Sequence, residues 1–176
     1  MQHIMLDLET WGTTAGSALR SIGACVFDPT SGAIGEKFYA NITDASCEDV
    51  GLTRDKLTEA WWAERSAEAQ GAFAKDPLHI VDALAAFNAW WTAQNSQWVW
   101  GHGANFDPVL LEAAYEACMM KAPWKFWDVR CCRTVLALAN RKPMRSGGVH
   151  HNALDDAIAQ AKAVAAAFRT KQFSPR

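Results

Sequence analysis

The sequence lacks the features that mark membrane proteins and disulfide-rich proteins. No apolar run approaches the roughly 20 residues that a membrane-spanning helix needs, and the opening segment MQHIMLDLET does not have the pattern of a signal peptide. Cysteine is scarce, with 5 residues and no CxxC spacing, so neither a disulfide framework nor a zinc site is indicated. We therefore expect a soluble, cytoplasmic protein with reduced thiols and no membrane partner.

Net charge is also low, at −2 over 176 residues, but the charges are unevenly distributed. Residues 1–97 hold 6 basic and 13 acidic side chains, whereas residues 98–176 hold 11 basic and 6 acidic ones. In the segment 121–145, 7 basic side chains are opposed only by Asp128. A basic surface of this kind attracts phosphates, although a solvated helix face is an equally good interpretation.

The length of the chain and its 50% content of hydrophobic residues fit one globular domain spanning residues 1–176. The apolar patterning predicts strands at 3–9, 19–29, 35–42 and 97–101, and helices at 52–64, 79–94, 107–120, 128–140 and 154–171. Thr53 and Asp128 are the candidate N-caps of the first and fourth helices. Strands that come first, followed by a strand among helices, predict a layered α/β or α+β domain with a mixed sheet.

Two carboxylates lie on the first predicted strand, in the segment MLDLET. Asp7 and Glu9 are two residues apart, and such residues on a strand point to the same side. The apolar neighbours Leu6 and Leu8 favour a covered strand, in which the two acids would repel each other unless a cation lay between them. A solvated acidic face on an edge strand is the alternative.

Asp107 follows the predicted strand QWVWG and precedes a helix, in the segment GHGANFDP. An aspartate directly before a proline is a good helix N-cap, and this segment alone favours that role. An acid at a strand end can nevertheless reach a site that it shares with other strand ends.

The segment HHNALDDA, residues 150–157, holds two adjacent histidines and two adjacent aspartates. If Asn152 is the N-cap of the last helix, Asp155 resembles the acid of a capping box. The helical pattern does not select Asp156, which lies off the apolar face. Divalent cations such as Mg2+ prefer oxygen ligands, and a two-metal site needs carboxylates from distant chain segments, as these are.

Three short segments together resemble the exonuclease motifs of the DEDDh family, and they occur in the family's order. They are DLET at 7–10, NFD at 105–107 and HNALDD at 151–156. The family includes RNase T, oligoribonuclease, the proofreading subunit of bacterial replicative polymerase, and small exoribonucleases of mycobacteria and phages, which the chain resembles most. The resemblance implies an RNase H-like fold, with a mixed five-stranded sheet that has a three-stranded antiparallel start and is flanked by helices.

The resemblance also implies four metal ligands and one general base. The ligands, which would hold two Mg2+ or Mn2+ ions, are Asp7, Glu9, Asp107 and Asp156. The base would be His151, which lies five residues before the last of these aspartates. The ions would lower the pKa of an attacking water and stabilise the leaving 3' oxygen, while the imidazole takes the proton of the water. Nucleoside 5'-monophosphates would then leave the 3' end of single-stranded RNA or DNA.

Residues beside the motifs are expected to contact the terminal nucleotide of the substrate. By resemblance these are Leu8, Thr10 and Phe106. Trp11 departs from the family, in which many members have a small residue; it either stacks on a base or packs in the core. The sequence decides neither between RNA and DNA, although exoribonuclease activity is favoured, nor whether the chain forms a homodimer.

Three other functions compete with a metal-dependent 3'-5' exonuclease. An RNase H-type endonuclease shares the sheet and the carboxylates but not this histidine spacing. A non-catalytic nucleic-acid-binding module of the same fold would not need the intact set of acids. A metal phosphatase ranks last, because no phosphate-cradling glycine loop is present. The histidines His3, His79 and His102 lack acidic partners at ligand spacing and are assigned to the surface or the core.

Overall fold

A computed structural model of the chain describes residues 3–141 and 152–171. The strands are β1 (His3–Thr10), β2 (Leu19–Phe27), β3 (Ile34–Asn41), β4 (Trp98–Gly101) and β5 (Val129–Cys131). The helices are α1 (Asp44–Asp49), α2 (Lys56–Ala63), α3 (Ala67–Gly71), α4 (Ile80–Ala93), α5 (Asp107–Ala117), α6 (Cys132–Leu138) and α7 (Ala153–Lys171). Short 3-10 turns occupy Ala72–Ala74 and Phe126–Asp128.

The strands form a single mixed sheet in the order β3-β2-β1-β4-β5, so β1 is the central strand. β1 pairs antiparallel with β2, and β2 pairs antiparallel with β3. β4 and β5 then add parallel to β1. The expected mixed five-stranded sheet with a three-stranded antiparallel start is confirmed.

Hydrophobic side chains cover both faces of the sheet. Ile4, Leu6 and Leu8 of β1 contribute to the larger core, which also contains apolar residues of α4 and α5. Met5 points to the other face, where an alanine-rich side of α7 packs closely. Because side chains alternate along a strand, Asp7 and Glu9 share the face of Met5 and lie under α7. In the described part of the chain, no helix combines the length and the apolar character that crossing a bilayer requires.

The prediction of a helix over 128–140 is wrong in its first part. Val129–Cys131 forms β5, which pairs with β4 in the register Val99 to Val129, and only Cys132–Leu138 is helical. The local sequence pattern does not predict this strand, because it is stabilised by pairing with β4, which lies in a distant part of the chain. Asp128 is not an N-cap either: it is buried before β5 and accepts a hydrogen bond from Gln97 Nε2 at 3.3 Å.

The N-cap of α2 is also shifted from the predicted Thr53. Asp55 occupies this position, and its carboxylate accepts a hydrogen bond from the backbone N–H of Thr58 at 2.9 Å. The predicted N-cap of the last helix is confirmed, since Asn152 Oδ1 accepts from the N–H groups of Leu154 and Asp155, both at 3.1 Å. Both caps satisfy backbone donors that a helix start leaves without partners.

Gly23, in the middle of β2, determines how closely α7 approaches the sheet. A methyl group at this position would lie 2.2 Å from the backbone of Ala153 and Leu154, at the start of α7. The absence of a side chain therefore lets the helix start lie directly on the strand, with its first turn above Asp7 and Glu9.

We expect Gly23→Ala to lower the free energy of unfolding by about 1–3 kcal/mol, because backbone atoms of α7 must move to admit the methyl group. Urea denaturation measures the change. Gly35→Ala on β3 is the matched control, since the nearest atoms to its added methyl group would be side-chain atoms of Val26 at 3.4 Å. Equal effects of the two substitutions would contradict a specific role for the close contact at Gly23.

Candidate active site

Asp7 and Glu9 lie side by side on the central strand of the sheet. In the pairing with β2, Asp7 lies opposite Gly23 and Glu9 lies opposite Ser21, so neither carboxylate is in register with a basic residue on the neighbouring strand. Glu9 is only 8% exposed, and Asp7 is partly buried. The alternative of a solvated acidic face on an edge strand is therefore wrong.

Asp156 joins these two carboxylates from the first turn of α7. One carboxylate oxygen from each of Asp7, Glu9 and Asp156 lies within 4.8 Å of the other two. Asp155, the adjacent acid, is not part of this group. Three hard oxygen donors at this separation fit the ligand preference of Mg2+ or Mn2+.

Asp107 adjoins this group from the start of α5. Its Oδ1 accepts a hydrogen bond from the backbone N–H of Leu8 at 3.3 Å, and its Oδ2 accepts from the N–H of His102 at 2.8 Å. Asp107 is the first residue of α5 and Phe106 is the N-cap, so the capping role that the sequence favoured for Asp107 is wrong. The two hydrogen bonds instead hold its carboxylate beside the segment that carries Asp7 and Glu9.

A second glycine makes room for Asp107. A methyl group on Gly101, at the end of β4, would lie 2.7 Å from Pro108 Cδ and 2.9 Å from Asp107 Oδ2. The start of α5 therefore lies against β4 as the start of α7 lies against β2. Both helix starts bring an aspartate to the same region of β1.

Gln160 is a further residue of this site that the sequence did not single out. Its Nε2 donates a hydrogen bond to Asp7 Oδ1 at 2.7 Å, and the side chain is 8% exposed. Its Oε1 is buried and has no hydrogen-bond partner among the described residues. The available signal was helical spacing, because Gln160 follows Asp156 by one turn on the same side of α7.

Burial raises the pKa values of three of these acids, and neighbouring acids add to the effect on Asp7 and Glu9. Burial, Asp107, Glu9 and Asp156 together raise the pKa of Asp7 well above its usual range. Burial and Asp156 raise the pKa of Glu9 to about 8, and burial raises that of Asp107 to about 7. Without a compensating cation, the cluster therefore retains protons near neutral pH, and a bound divalent cation would favour the ionised forms.

A pocket of about 530 Å³ opens beside the carboxylates. Glu9 forms part of its wall, together with Leu8, Thr10 and Phe106, the residues expected to contact the substrate. The other lining residues come from the segment after β1 and from α2: Thr13, Asp55, Leu57, Thr58, Trp61 and Trp62. Mostly apolar walls suit a planar ring, and the carboxylate at one end belongs to the group that could hold a cation.

Trp11 does not line this pocket, so the structure favours the packing alternative. The residue is 8% exposed, and its Nε1 donates to Asp44 Oδ1 at 2.7 Å. The guanidinium carbons of Arg20 and Arg54 each lie 4.0 Å from its ring centroid. Trp61, which is 39% exposed, lines the pocket in its place.

Of the histidines nearest to the motifs, His102 lies in the described part of the chain. His151, the expected general base, lies outside the described residues, as does His150. His102 is half-buried, and burial and Arg133 lower its pKa. Its Nε2 has no hydrogen-bond partner among the described residues.

Solved exonuclease structures share this fold at low sequence identity. The nuclease domain of 3'hExo, a DEDDh family member bound to rAMP, has a TM-score of 0.63 at 10% identity, with 97% of this chain and 92% of that chain covered. Exonuclease X in complex with 5' overhanging duplex DNA has a TM-score of 0.59 at 19% identity, covering 98% and 94%. E. coli Exonuclease I in complex with a dT13 oligonucleotide has a TM-score of 0.68 at 14% identity, covering 97% of this chain but 41% of that one.

These likenesses establish an RNase H-like exonuclease fold. No curated protein sequence matches the chain. A family model does match, over residues 2–168, and describes a 3'-5' exoribonuclease domain of the Rv2179c-like kind. The matched region contains all four carboxylates of the site together with His151 and Gln160. The chain therefore belongs to the Rv2179c-like family of 3'-5' exoribonuclease domains.

Proposed function

We propose that this chain hydrolyses single-stranded nucleic acid, preferentially RNA, from its 3' end with the help of two divalent cations, and that it releases nucleoside 5'-monophosphates. The observation that carries the proposal is the convergence of Asp7, Glu9 and Asp156 within 4.8 Å on the central strand and the last helix. The family is one of exoribonucleases, which agrees with RNA as the substrate.

The residues of the site fit a pair of Mg2+ or Mn2+ ions. Asp7, Glu9 and Asp156 would hold them directly, and Asp107 would contribute from its position beside Leu8. When bound, the ions would supply the positive charge that activates the attacking water and stabilises the leaving 3' oxygen. The raised pKa values of Asp7 and Glu9 support this assignment. They mean that ionising these carboxylates without a cation is unfavourable, and a bound cation would remove that cost.

The remaining residues of the site orient these ligands and the substrate. Gln160 fixes one oxygen of Asp7 through its amide N–H, which leaves the other oxygen for a ligand. The N–H groups of Leu8 and His102 fix both oxygens of Asp107. Second-shell hydrogen bonds of this kind keep carboxylates in the geometry that a metal ion requires.

The pocket would bind the 3'-terminal nucleotide. Leu8 and Phe106 supply apolar contacts to the sugar and base, and the ring of Trp61 offers a surface on which the base stacks. Trp11 supports the pocket from behind through its edge-on contact with Trp62, whose ring centroid lies 6.5 Å from that of Trp11. With the base bound in this way, the terminal phosphodiester would lie next to Glu9.

His151 would accept the proton of the attacking water. In the sequence it directly precedes Asn152, which caps the helix whose first turn carries Asp156. An imidazole is suited to this step because it titrates near neutral pH.

The two aspartates at the start of α7 provide a matched test of the metal ligands. We expect Asp156→Asn to reduce cleavage at least about 100-fold, since loss of a direct ligand should cost no less than loss of an outer-shell partner. Asp155→Asn should retain nearly all activity. Shortening of 3'-labelled single-stranded RNA and DNA in Mg2+ and Mn2+ measures the rates, with Asp7→Ala as the inactive reference. A wild-type protein that shortens neither strand in either metal would refute the proposed function.

The two histidines provide a second matched pair. We expect His151→Ala to abolish most of the cleavage, because the substitution removes the imidazole that is proposed to take the proton, and His150→Ala to spare it. The pH profile of the residual rate should also lose its acidic limb only in His151→Ala. Equal losses in both variants would show that the base has been assigned in the wrong register.

The carboxylate cluster should also make stability depend on pH. The pKa of Glu9 rises from 4.5 to about 8 on folding, so its contribution to stability is complete below 4.5 and is lost as the pH rises toward 8. In EDTA, the free energy of unfolding should therefore fall across this interval, and Mg2+ should restore more stability at the alkaline end. Urea denaturation at a series of pH values tests this. A Glu9→Gln protein with the same slope as the wild type would contradict it.

A further inference from the structure

The edge of the sheet at β5 carries exposed aromatic side chains among basic ones. Phe126 is 80% exposed and Trp127 is 58% exposed, although both are large apolar residues. Their rings touch edge-to-face, with centroids 4.7 Å apart, so they form one continuous surface. Neighbouring exposed aromatics of this size mark an interaction site more often than an isolated apolar residue does.

Three basic residues follow one another along this edge of the sheet, from the aromatic pair to the start of α6. The ammonium of Lys125 lies 5.4 Å from the ring centroid of Trp127. Arg130 Nη1 donates to the carbonyl of Trp127 at 2.8 Å, and its guanidinium carbon lies 5.9 Å from the ring centroid of Trp98. Arg133, at the start of α6, is exposed and donates through Nε to the carbonyl of His102.

Little acidic charge opposes these cations within the described residues 121–141. In the described residues 121–141 the one acid is Asp128, which is buried and accepts its hydrogen bond from Gln97. Among the described residues, Lys125, Arg130 and Arg133 form no salt bridge. The surface therefore combines exposed π-faces with free positive charge, which is the composition of single-stranded nucleic-acid binding sites.

The position of this surface relative to the active site is set by the sheet. β5 runs parallel to β4, so Arg133 lies at the end where Asp107 follows β4. Phe126 and Trp127 precede β5 at its other end, and the three-residue strand between is itself about 10 Å long. A single strand of several nucleotides spans such a distance, since single-strand binding sites cover about 4–16 nucleotides.

We propose that Lys125, Phe126, Trp127, Arg130 and Arg133 form an accessory track, the β5 track, which binds the upstream nucleotides of the strand whose 3' end occupies the active site. The inference rests on the proposed function and extends it to substrate length. A second copy of this chain is a poorer occupant, because a two-fold interface would oppose the same cations on both subunits. A single strand matches this surface better, because its bases can stack on the exposed rings while its phosphates contact the cations.

The test compares a short and a long substrate with the double variant Phe126→Ala/Trp127→Ala. The variant should cleave a ribodinucleotide at the wild-type rate, because that substrate does not reach the rings. On a single strand of about ten nucleotides, kcat/KM should fall tenfold or more, as expected for the loss of base stacking. Leu138→Ala, which also removes an exposed apolar side chain (63% exposed), is the matched control and should leave both rates unchanged.

Binding measured in EDTA separates this inference from the proposed function. By fluorescence anisotropy of the labelled long strand, the double variant should bind about tenfold more weakly than the wild type, and Lys125→Gln should reduce the salt dependence of log Kd by about one unit of slope.

Weaker binding in EDTA would support the track even if the wild type cleaved no substrate. Unchanged binding and unchanged length dependence would overturn it. So would a sedimentation change from dimer to monomer in the double variant while strand binding stays intact, because the surface would then hold a second copy.

Discussion

The repulsion between buried carboxylates is the constraint on which this structure depends. Asp7 and Glu9 are fixed on the same side of the central strand by the period of the backbone, and Asp156 is brought onto them by a helix. Burial makes ionisation of these acids unfavourable and each additional acid adds to the effect, which is why the pKa values of Asp7 and Glu9 rise. The fold therefore stores unfavourable electrostatic free energy at one place. Ligation of the proposed divalent cations would relieve that energy, so stability and affinity for metal would be coupled.

The packing around the cluster is what allows the fold to tolerate it. Gly23 and Gly101 let the starts of α7 and α5 lie closer to the sheet than any other residue would permit. The alanine-rich side of α7 then contributes apolar contacts along the rest of its length. Gln160 and the N–H of Leu8 satisfy one oxygen each on Asp7 and Asp107, which limits the desolvation penalty of these groups. Close packing and hydrogen bonds thus offset the free-energy cost of burying these carboxylates.

Local patterns predicted those parts of the site that local geometry determines. The shared orientation of Asp7 and Glu9 follows from the strand period, and the cap at Asn152 follows from its position before an apolar helix. Patterns failed where a distant partner decides the outcome. Asp107 looked like an N-cap, but the backbone of Leu8, 99 residues away, competes for its carboxylate. The strand Val129–Cys131 looked like helix, because the edge of β4 that stabilises it is invisible to a local window. The choice of Asp156 over Asp155 came from the family spacing rather than from any helical pattern.

Tryptophan side chains pack between the acid cluster and the pocket that is proposed to bind the terminal nucleotide. Trp62 lines the pocket, and its Nε1 donates to the carbonyl of Thr10 at 2.9 Å, which holds the end of β1 directly after Glu9. Its ring also lies 4.3 Å from the guanidinium carbon of Arg20, which Trp11 and Phe73 contact at 4.0 and 3.8 Å. A buried cation enclosed by aromatic rings is stabilised without a paired carboxylate, so its charge remains available to lower the pKa of Glu9 against the effect of burial. The same side chain therefore shapes the wall of the pocket and, through Arg20, influences the charge of an acid that lines it. The proposed binding of the terminal nucleotide and the ionisation of the cluster would in this way depend on the same packed side chains.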